Sequence, residues 1–179
     1  MRRSALLRKT AVFDKPYVKK SALIDVEEEA HRNEHSIEVQ LPFLQFIFPR
    51  RFRFVPICMG LQDLQTGVDV GEAVAGAIGD AGVVVIASSD WTHNEPQAEA
   101  AAKDKEALSA ALAMDEKGFQ RTIETKRITA CGYGPVTAMI HTAKILGARN
   151  SQLLAYHTSG DVTGDKDAVV GYAAATFTK

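Results

Sequence analysis

The stretch from Val83 to Glu95 constrains the fold of this chain more than any other part of the sequence. It opens with four branched apolar residues, Val83 to Ile86, and then passes through small residues to Asp90 and His93. A short, uninterrupted apolar run is typical of a strand covered on both faces, as in a parallel sheet. In open α/β sheets, ligands bind just beyond the carboxyl ends of the strands. The pattern therefore predicts an α/β fold with Asp90 and His93 at the edge where chemistry is expected.

The same loop also has an interpretation that needs no chemistry. Pro96 suits the first turn of a helix, and residues 97–114 are rich in alanine, lysine, glutamate and leucine. Asp90 would then belong to a polar loop that caps the following helix. The residues of the loop alone leave both interpretations of Asp90 open.

Length and composition favour one globular domain. The 179 residues suffice for a sizeable core, and 46% of them are hydrophobic. The formal net charge of −1 gives no basic excess, so nucleic acid is not an expected partner. No apolar run approaches the ~20 residues of a membrane helix, so no membrane contact is expected. Two cysteines, Cys58 and Cys131, make no disulfide framework, which predicts a cytoplasmic location.

The segment around residue 37 supplies a second candidate group. Ser36 is predicted to cap a helix over residues 37–48, and Pro42 should kink that helix or delay its start. His35 and Glu38 would then lie near the helix start, where side chains can point into a cleft. They could equally do no more than satisfy the helix terminus.

Cys131 is the third candidate, in a glycine-containing turn before a helix predicted over residues 135–146. The neighbouring glycines let backbone or ligand approach closely. A thiolate in this turn could ligate a metal or act as a nucleophile, whereas the alternative is a tight turn with a buried thiol. We predict that the His93 ring and the Cys131 sulfur lie within roughly 10 Å, close enough to share a ligand.

The rest of the sequence alternates predicted strands and helices. Strands are expected over residues 52–60, 152–160 and 168–177, and helices over residues 68–80 and 115–125. Cys58 lies in the first of these strands and is expected to be buried packing. The sequence contains neither Cys-x-x-Cys nor His-Glu-x-x-His, so it predicts no zinc motif.

Four motifs, the last of them in two short segments, resemble one known family in order along the chain. Residues 34–44, Glu-His-Ser-Ile-Glu-Val-Gln-Leu-Pro-Phe-Leu, resemble a signature of the Memo family, the mediators of ErbB2-driven cell motility. Its prokaryotic members are called AmmeMemoRadiSam system protein B. Residues 87–93 resemble the family's Ser-Ser-Asp-x-x-His loop, and residues 129–135 resemble its Cys-Gly segment. Residues 159–161 and 170–173 resemble its closing strands, so the resemblance covers nearly the whole chain.

The resemblance implies a fold similar to the class III extradiol dioxygenases, of the LigB-like type. That fold is a three-layer α/β/α sandwich with a mostly parallel central sheet and a non-haem iron site. Residues 1–179 would form a single Memo-like domain that lacks the first βα units, equal to the C-terminal two-thirds of the family domain. The family's Pro-His-Ala-Gly-Tyr and Gly-Pro-Ser-His-His segments, which carry its two histidine ligands, do not occur in this sequence.

The resemblance also assigns roles to individual residues. Cys131 corresponds to a metal ligand, and the catalytic positions beside the metal correspond to His93, as acid or base, and Asp90. The residues expected to line the binding pocket are His35, Glu38, Ser89 and Tyr133. The implied activity is that of a metal-dependent, dioxygenase-like oxidoreductase with an incomplete site. Ligation by a soft thiolate favours iron or copper as the cofactor.

The expected ligands are a small molecule or a peptide, and the expected partners are radical-SAM proteins of the same system. Two alternatives stay open. The pocket could bind a peptide or small ligand without turnover, or the chain could be an inactive fragment. Because a strand at residues 83–87 would lack its neighbours here, we expect the isolated chain to be poorly soluble or to form a homo-oligomer.

Overall fold

The computed structural model describes residues 24–25, 29–48, 52–79 and 81–179. They form an α/β arrangement in which helices pack on a small sheet. Two 3₁₀ turns, Glu29–His31 and Glu38–Gln40, come first. The remaining elements are α1 (Leu41–Ile47), α2 (Leu64–Ile78), β1 (His93–Glu95), α3 (Gln97–Leu112), α4 (Glu116–Lys126), α5 (Tyr133–Ile145), β2 (Asn150–Thr158), α6 (Gly160–Thr163) and β3 (Val169–Thr178). No helix among these described residues is long and apolar enough to cross a membrane.

The sheet has the strand order β1-β3-β2, and both of its strand pairs are antiparallel. β2 and β3 pair along their length, from Asn150 opposite Thr178 to Thr158 opposite Gly171. The prediction of a mostly parallel sheet is therefore wrong for the described strands. The physical reason is the short connection between β2 and β3. Parallel neighbours need a full crossover, for which residues 159–168 are too few, whereas an antiparallel pair can be joined by a segment of this length.

The stretch Val83 to Ala87 does not form a strand in the described structure. Val83 is 50% exposed, Val84 82% and Ile86 52%, so the prediction of a buried strand is wrong here. A strand apolar on both faces becomes buried only when it has paired edges and helices on both sides. The chain is tied to the sheet beyond this stretch, where the Trp91 N–H donates to the Gly171 carbonyl at 2.9 Å.

The N-terminal predictions need two further corrections. Ser36 does not cap a helix, because its N–H and its hydroxyl both donate to the Glu34 carboxylate, each at 2.8 Å. The expected late start is confirmed, since α1 begins only at Leu41 with Pro42 in its first turn. No strand is assigned over the described residues 52–60, and Cys58 is exposed rather than buried.

The later helices begin and end within a few residues of the predicted positions. α2 starts earlier than predicted because Asp63 caps it: its carboxylate accepts from the Thr66 N–H at 3.0 Å and from the Thr66 hydroxyl at 2.7 Å. The core lies where α3, α4 and α5 meet the sheet, around the fully buried Phe119 and Ile140. The rings of Trp91 and Phe119 meet edge to face with centroids 6.1 Å apart, which anchors the polar loop to the core.

Two glycines let α2 lie close against α5. A Cβ added at Gly67 would lie 2.7 Å from Cγ2 of Thr137, and one at Gly71 would lie 2.8 Å from the carbonyl oxygen of Ala138. Both distances are shorter than real Cβ contacts, so only glycine permits this approach. The close packing accounts for a helix that tolerates several glycines despite their low helix propensity.

This packing predicts opposite effects for two glycine substitutions in one helix. Gly71→Ala should lower the free energy of unfolding by about 1–3 kcal/mol, because the added methyl group overpacks the α2–α5 contact. Gly76→Ala in the same helix should raise it by up to about 1 kcal/mol, because a Cβ there meets nothing within 4 Å and alanine favours the helix. Thermal and urea unfolding measure both effects, and equal effects of the two substitutions would contradict the packing argument.

The exposed apolar stretch predicts association of the isolated chain. Each Å² of apolar surface left in water forgoes about 25 cal/mol, so self-pairing or aggregation should relieve it. Val84→Lys should reduce association in size-exclusion chromatography with light scattering. Val162→Lys is the control, because Val162 is 89% exposed but lies apart on α6.

A monodisperse monomer that melts cooperatively above ~60 °C, the upper range of ordinary mesophile domains, would contradict this expectation. The two lysine variants behaving alike would show instead that association does not involve residues 83–86.

Candidate functional site

Asp90, His93 and Cys131 converge in the structure although they are separated in the sequence. One donor atom from each lies within 4.8 Å of the others. Asp90 and Cys131 are exposed, and His93 is half-buried. The prediction that His93 and Cys131 lie close together is thus confirmed. Their roles as catalytic residue and metal ligand stay predictions.

Reciprocal hydrogen bonds join the Asp90 loop to the Cys131 turn. The Asp90 N–H donates to the Cys131 sulfur at 3.2 Å, and the Cys131 N–H donates to the Asp90 carbonyl at 3.2 Å. Ser89 adds a second link, because its hydroxyl accepts from the Gly132 N–H at 2.9 Å and donates to the Asp90 carbonyl at 2.7 Å. A side chain at Gly132 would overlap the Ser88 carbonyl. The two turns therefore form one unit that presents a sulfur and a carboxylate side by side.

Thr129 fixes both the position and the tautomer of His93. The His93 N–H donates to the Thr129 hydroxyl at 2.7 Å, and ring Nδ1 lies 2.9 Å from the Thr129 carbonyl oxygen. A carbonyl only accepts, so Nδ1 must carry the proton. In the neutral ring, Nε2 then has a free lone pair, and it lies 3.9 Å from Oδ2 of Asp90. The ring is thus set to accept a proton or to ligate a metal through Nε2.

The chain leaves this site through a β-bulge. His93 pairs with Val170 and Glu95 pairs with Val169, so Asn94 is one residue in excess of the partner strand. Asn94 has φ 59°, a left-handed conformation that asparagine adopts more readily than most residues. Bulges are frequent beside active sites because they re-aim side chains.

Gln62 holds the far side of the Cys131 turn and was not anticipated from the sequence. Its side-chain N–H donates to the Cys131 carbonyl at 3.0 Å, and its Oε1 accepts from the Gly134 N–H at 2.9 Å. Gln120, which is buried, donates to the Gln62 carbonyl at 2.9 Å and to the Thr137 hydroxyl at 2.9 Å. A lone glutamine between helices carries no local motif, so only the tertiary structure reveals this clamp.

The remaining predicted pocket residues differ in how closely the structure ties them to this unit. Tyr133 is the first residue of α5 and packs partly against the core. His35 and Glu38 are exposed, and their segment is tied to the site through Ser88. The Ser88 hydroxyl donates to the Ser36 carbonyl at 2.9 Å and accepts from the Gln40 side chain at 3.1 Å. Ligand binding by His35, Glu38, Ser89 and Tyr133 stays a prediction.

Comparison with known proteins gives consistent matches. The family profile described as "Memo-like protein" matches residues 12–176. The MEMO1 family protein of Methanococcoides burtonii is 54% identical over 154 residues, which cover 85% of this chain and 58% of that protein. The MEMO1 family protein of Methanopyrus kandleri is 47% identical over 167 residues, which cover 92% of this chain and 59% of that protein. The MEMO1 family protein of Methanocaldococcus jannaschii is 49% identical over 162 residues, which cover 88% of this chain and 56% of that protein.

The chain spans less than two thirds of the length of these relatives. The profile nevertheless covers the chain from residue 12 to residue 176, a range that includes Asp90, His93 and Cys131. The family suggested by the four sequence motifs is therefore confirmed. The chain belongs to the Memo-like family.

Proposed function

We propose that this chain supplies part of a metal-dependent, dioxygenase-like active site. In this proposal Cys131 binds iron or copper, and His93 and Asp90 act as an acid–base pair beside the metal. The observation that supports it best is the convergence of the three donor atoms within 4.8 Å. Hydrogen bonds that hold the two turns and the His93 ring in place add to this support.

The donor set suits such a metal. Two donors on one tetrahedral ion lie about 3.5 Å apart, given bond lengths near 2.0–2.3 Å. His93 Nε2 and Asp90 Oδ2 are 3.9 Å apart, and a donor atom of each residue lies within 4.8 Å of the Cys131 sulfur, so an ion held by Cys131 would stand directly beside both groups. A thiolate and an imidazole together favour iron or copper over magnesium or calcium, which take hard oxygen ligands.

The protein's own groups provide the proton chemistry. A bound iron or copper would supply the redox step on the substrate. The Nε2 lone pair of His93 accepts a proton from a substrate hydroxyl group, and the Asp90 carboxylate stabilises the positive ring that results. The Thr129 carbonyl keeps Nδ1 protonated, so Nε2 alone is available for this transfer.

Family membership supports wider features of the proposal. We propose a LigB-like three-layer sandwich for the whole family protein, in which further elements cover the exposed side chains of Val83, Val84 and Ile86. As a relative of AmmeMemoRadiSam system protein B, it would act in the cytoplasm with a radical-SAM partner. Its substrate would be a small molecule or a peptide bound near Cys131.

The proposal predicts weak, cysteine-dependent metal binding by this chain. Reduced, chelator-stripped protein should bind iron(II) or copper(I), but less tightly than a full-length relative, because Cys131 and, in the absence of substrate, the free Nε2 of His93 fall short of the usual three protein ligands. Cys131→Ser should weaken binding at least about 10-fold, since thiolate ligation carries the preference for these metals. Cys58→Ser is the matched control, because Cys58 is also exposed and free.

Isothermal titration of these proteins decides the matter. Tight, stoichiometric binding that persists in both Cys131→Ala and His93→Ala would show that the metal site lies elsewhere. Binding of a peptide or small ligand near Cys131 without any effect of metal would favour a non-catalytic binding module.

A further inference from the structure

Asp104 is a carboxylate enclosed in the core. It projects from α3, its exposed fraction is 0%, and its helix neighbours on that face are Ala100, Ala107 and Leu108. Burying a charged group is costly unless hydrogen bonds replace its hydration. A leucine or methionine would fill this position without that cost. The presence of a carboxylate therefore calls for a specific role.

Three neutral donors satisfy Asp104, and two of them belong to one residue. Oδ1 accepts from the Thr92 N–H at 3.1 Å and from the Thr92 hydroxyl at 2.6 Å. Oδ2 accepts from the Tyr156 hydroxyl at 2.8 Å. Burial and the adjacent carboxylate raise the pKa of Tyr156, so this hydroxyl keeps the proton that it donates. The carboxylate thus holds Thr92 with both of that residue's available donors.

Thr92 lies inside the loop that carries the site. It is itself fully buried and stands directly before His93. The Gly171 N–H donates to the Thr92 carbonyl at 2.9 Å, and a side chain at Gly171 would overlap the Asp104 carboxylate. Asp104 and β3 thereby hold the buried side of the loop. Thr129 and Cys131 hold its other side through His93 and Asp90.

We propose that Asp104 is the positioning residue of this site: through Thr92 it sets the direction of the His93 ring toward Asp90 and Cys131. It touches neither a metal nor a substrate. Only the expected effect on metal binding rests on the proposed function. The orientation of His93 can be measured without any metal.

The test compares variants that break the Thr92 contact with one that keeps it. Asp104→Ala removes the acceptor, and Thr92→Val removes only the hydroxyl donor, so it is informative even if the first variant does not fold. Asp104→Asn keeps a carbonyl for Thr92 and turns its amide toward Tyr156. Thr142→Val is the matched control. Thr142 is a buried threonine in α5 whose hydroxyl donates to the Ala138 carbonyl at 2.8 Å. At a rise of about 1.5 Å per helical residue, it lies roughly 15 Å from Cys131 along the axis of α5.

The first readout is the tautomer of His93 in the metal-free protein. It is measured by NMR on a chain labelled with ¹⁵N at its five histidines. The wild-type chain and Thr142→Val should show Nδ1–H. Asp104→Ala and Thr92→Val should show a mixture with Nε2–H, because Thr129 no longer faces the ring, and Asp104→Asn should restore Nδ1–H. A His93 signal that stays wild-type in Asp104→Ala and Thr92→Val, while only the melting temperature falls, would overturn the proposal.

The second readout is copper(I) affinity. It should fall about 10-fold or more in Asp104→Ala and Thr92→Val, as for other residues that orient metal ligands, and remain unchanged in Thr142→Val. An equal loss in all three variants would mean a general effect of stability and would contradict positioning. If the wild-type chain binds no metal, the proposed function fails, while the tautomer measurement still decides the role of Asp104.

Discussion

The reciprocal hydrogen bonds between Asp90 and Cys131 are the contact on which the rest of the site depends. They join a loop beside the sheet to the turn that starts α5: the Asp90 N–H orients the Cys131 sulfur, and the Cys131 N–H holds the backbone carbonyl of Asp90. Neither turn has regular secondary structure of its own at these residues. Contacts on both sides hold them in place: the Trp91 ring packs against Phe119 in the core, and the Gln62 side chain donates to the Cys131 carbonyl.

This arrangement separates the parts that supply chemistry from the parts that supply rigidity. Thiolate, imidazole and carboxylate lie at the surface, where a ligand can reach them. Behind them lie the buried Asp104 carboxylate, which accepts from Thr92 in the loop, and the buried Gln120, which donates to the carbonyl of Gln62, the residue that holds the Cys131 turn. Active sites require functional groups held within a fraction of an ångström, and buried polar networks provide that precision at some cost in stability.

The sequence allowed the candidate triad to be predicted because each member stands in a short polar motif next to an apolar element. The helices from residue 64 onward were also predictable, since their composition and capping are local properties. Strand pairing was not, because it depends on which segments meet in space. The apolar run at Val83 predicts a buried strand by pattern alone, yet its burial requires neighbours that the described residues do not provide. Gln62 and Asp104 act on Cys131 and Tyr156, which lie 69 and 52 residues away, and the charged neighbours of Asp104 suggest a solvated helix face or a group near the site and not a buried one.

The bulge at Asn94 makes the number of residues in the loop as important as their identity. The loop is held at Trp91 by Gly171 and again at Glu95 by β3, so its length between these points is fixed. Within that length, one left-handed residue sets the face on which His93 emerges. During evolution this segment should therefore accept substitutions more readily than insertions or deletions. An inserted residue would rotate the imidazole away from the thiol without altering a single side chain of the site.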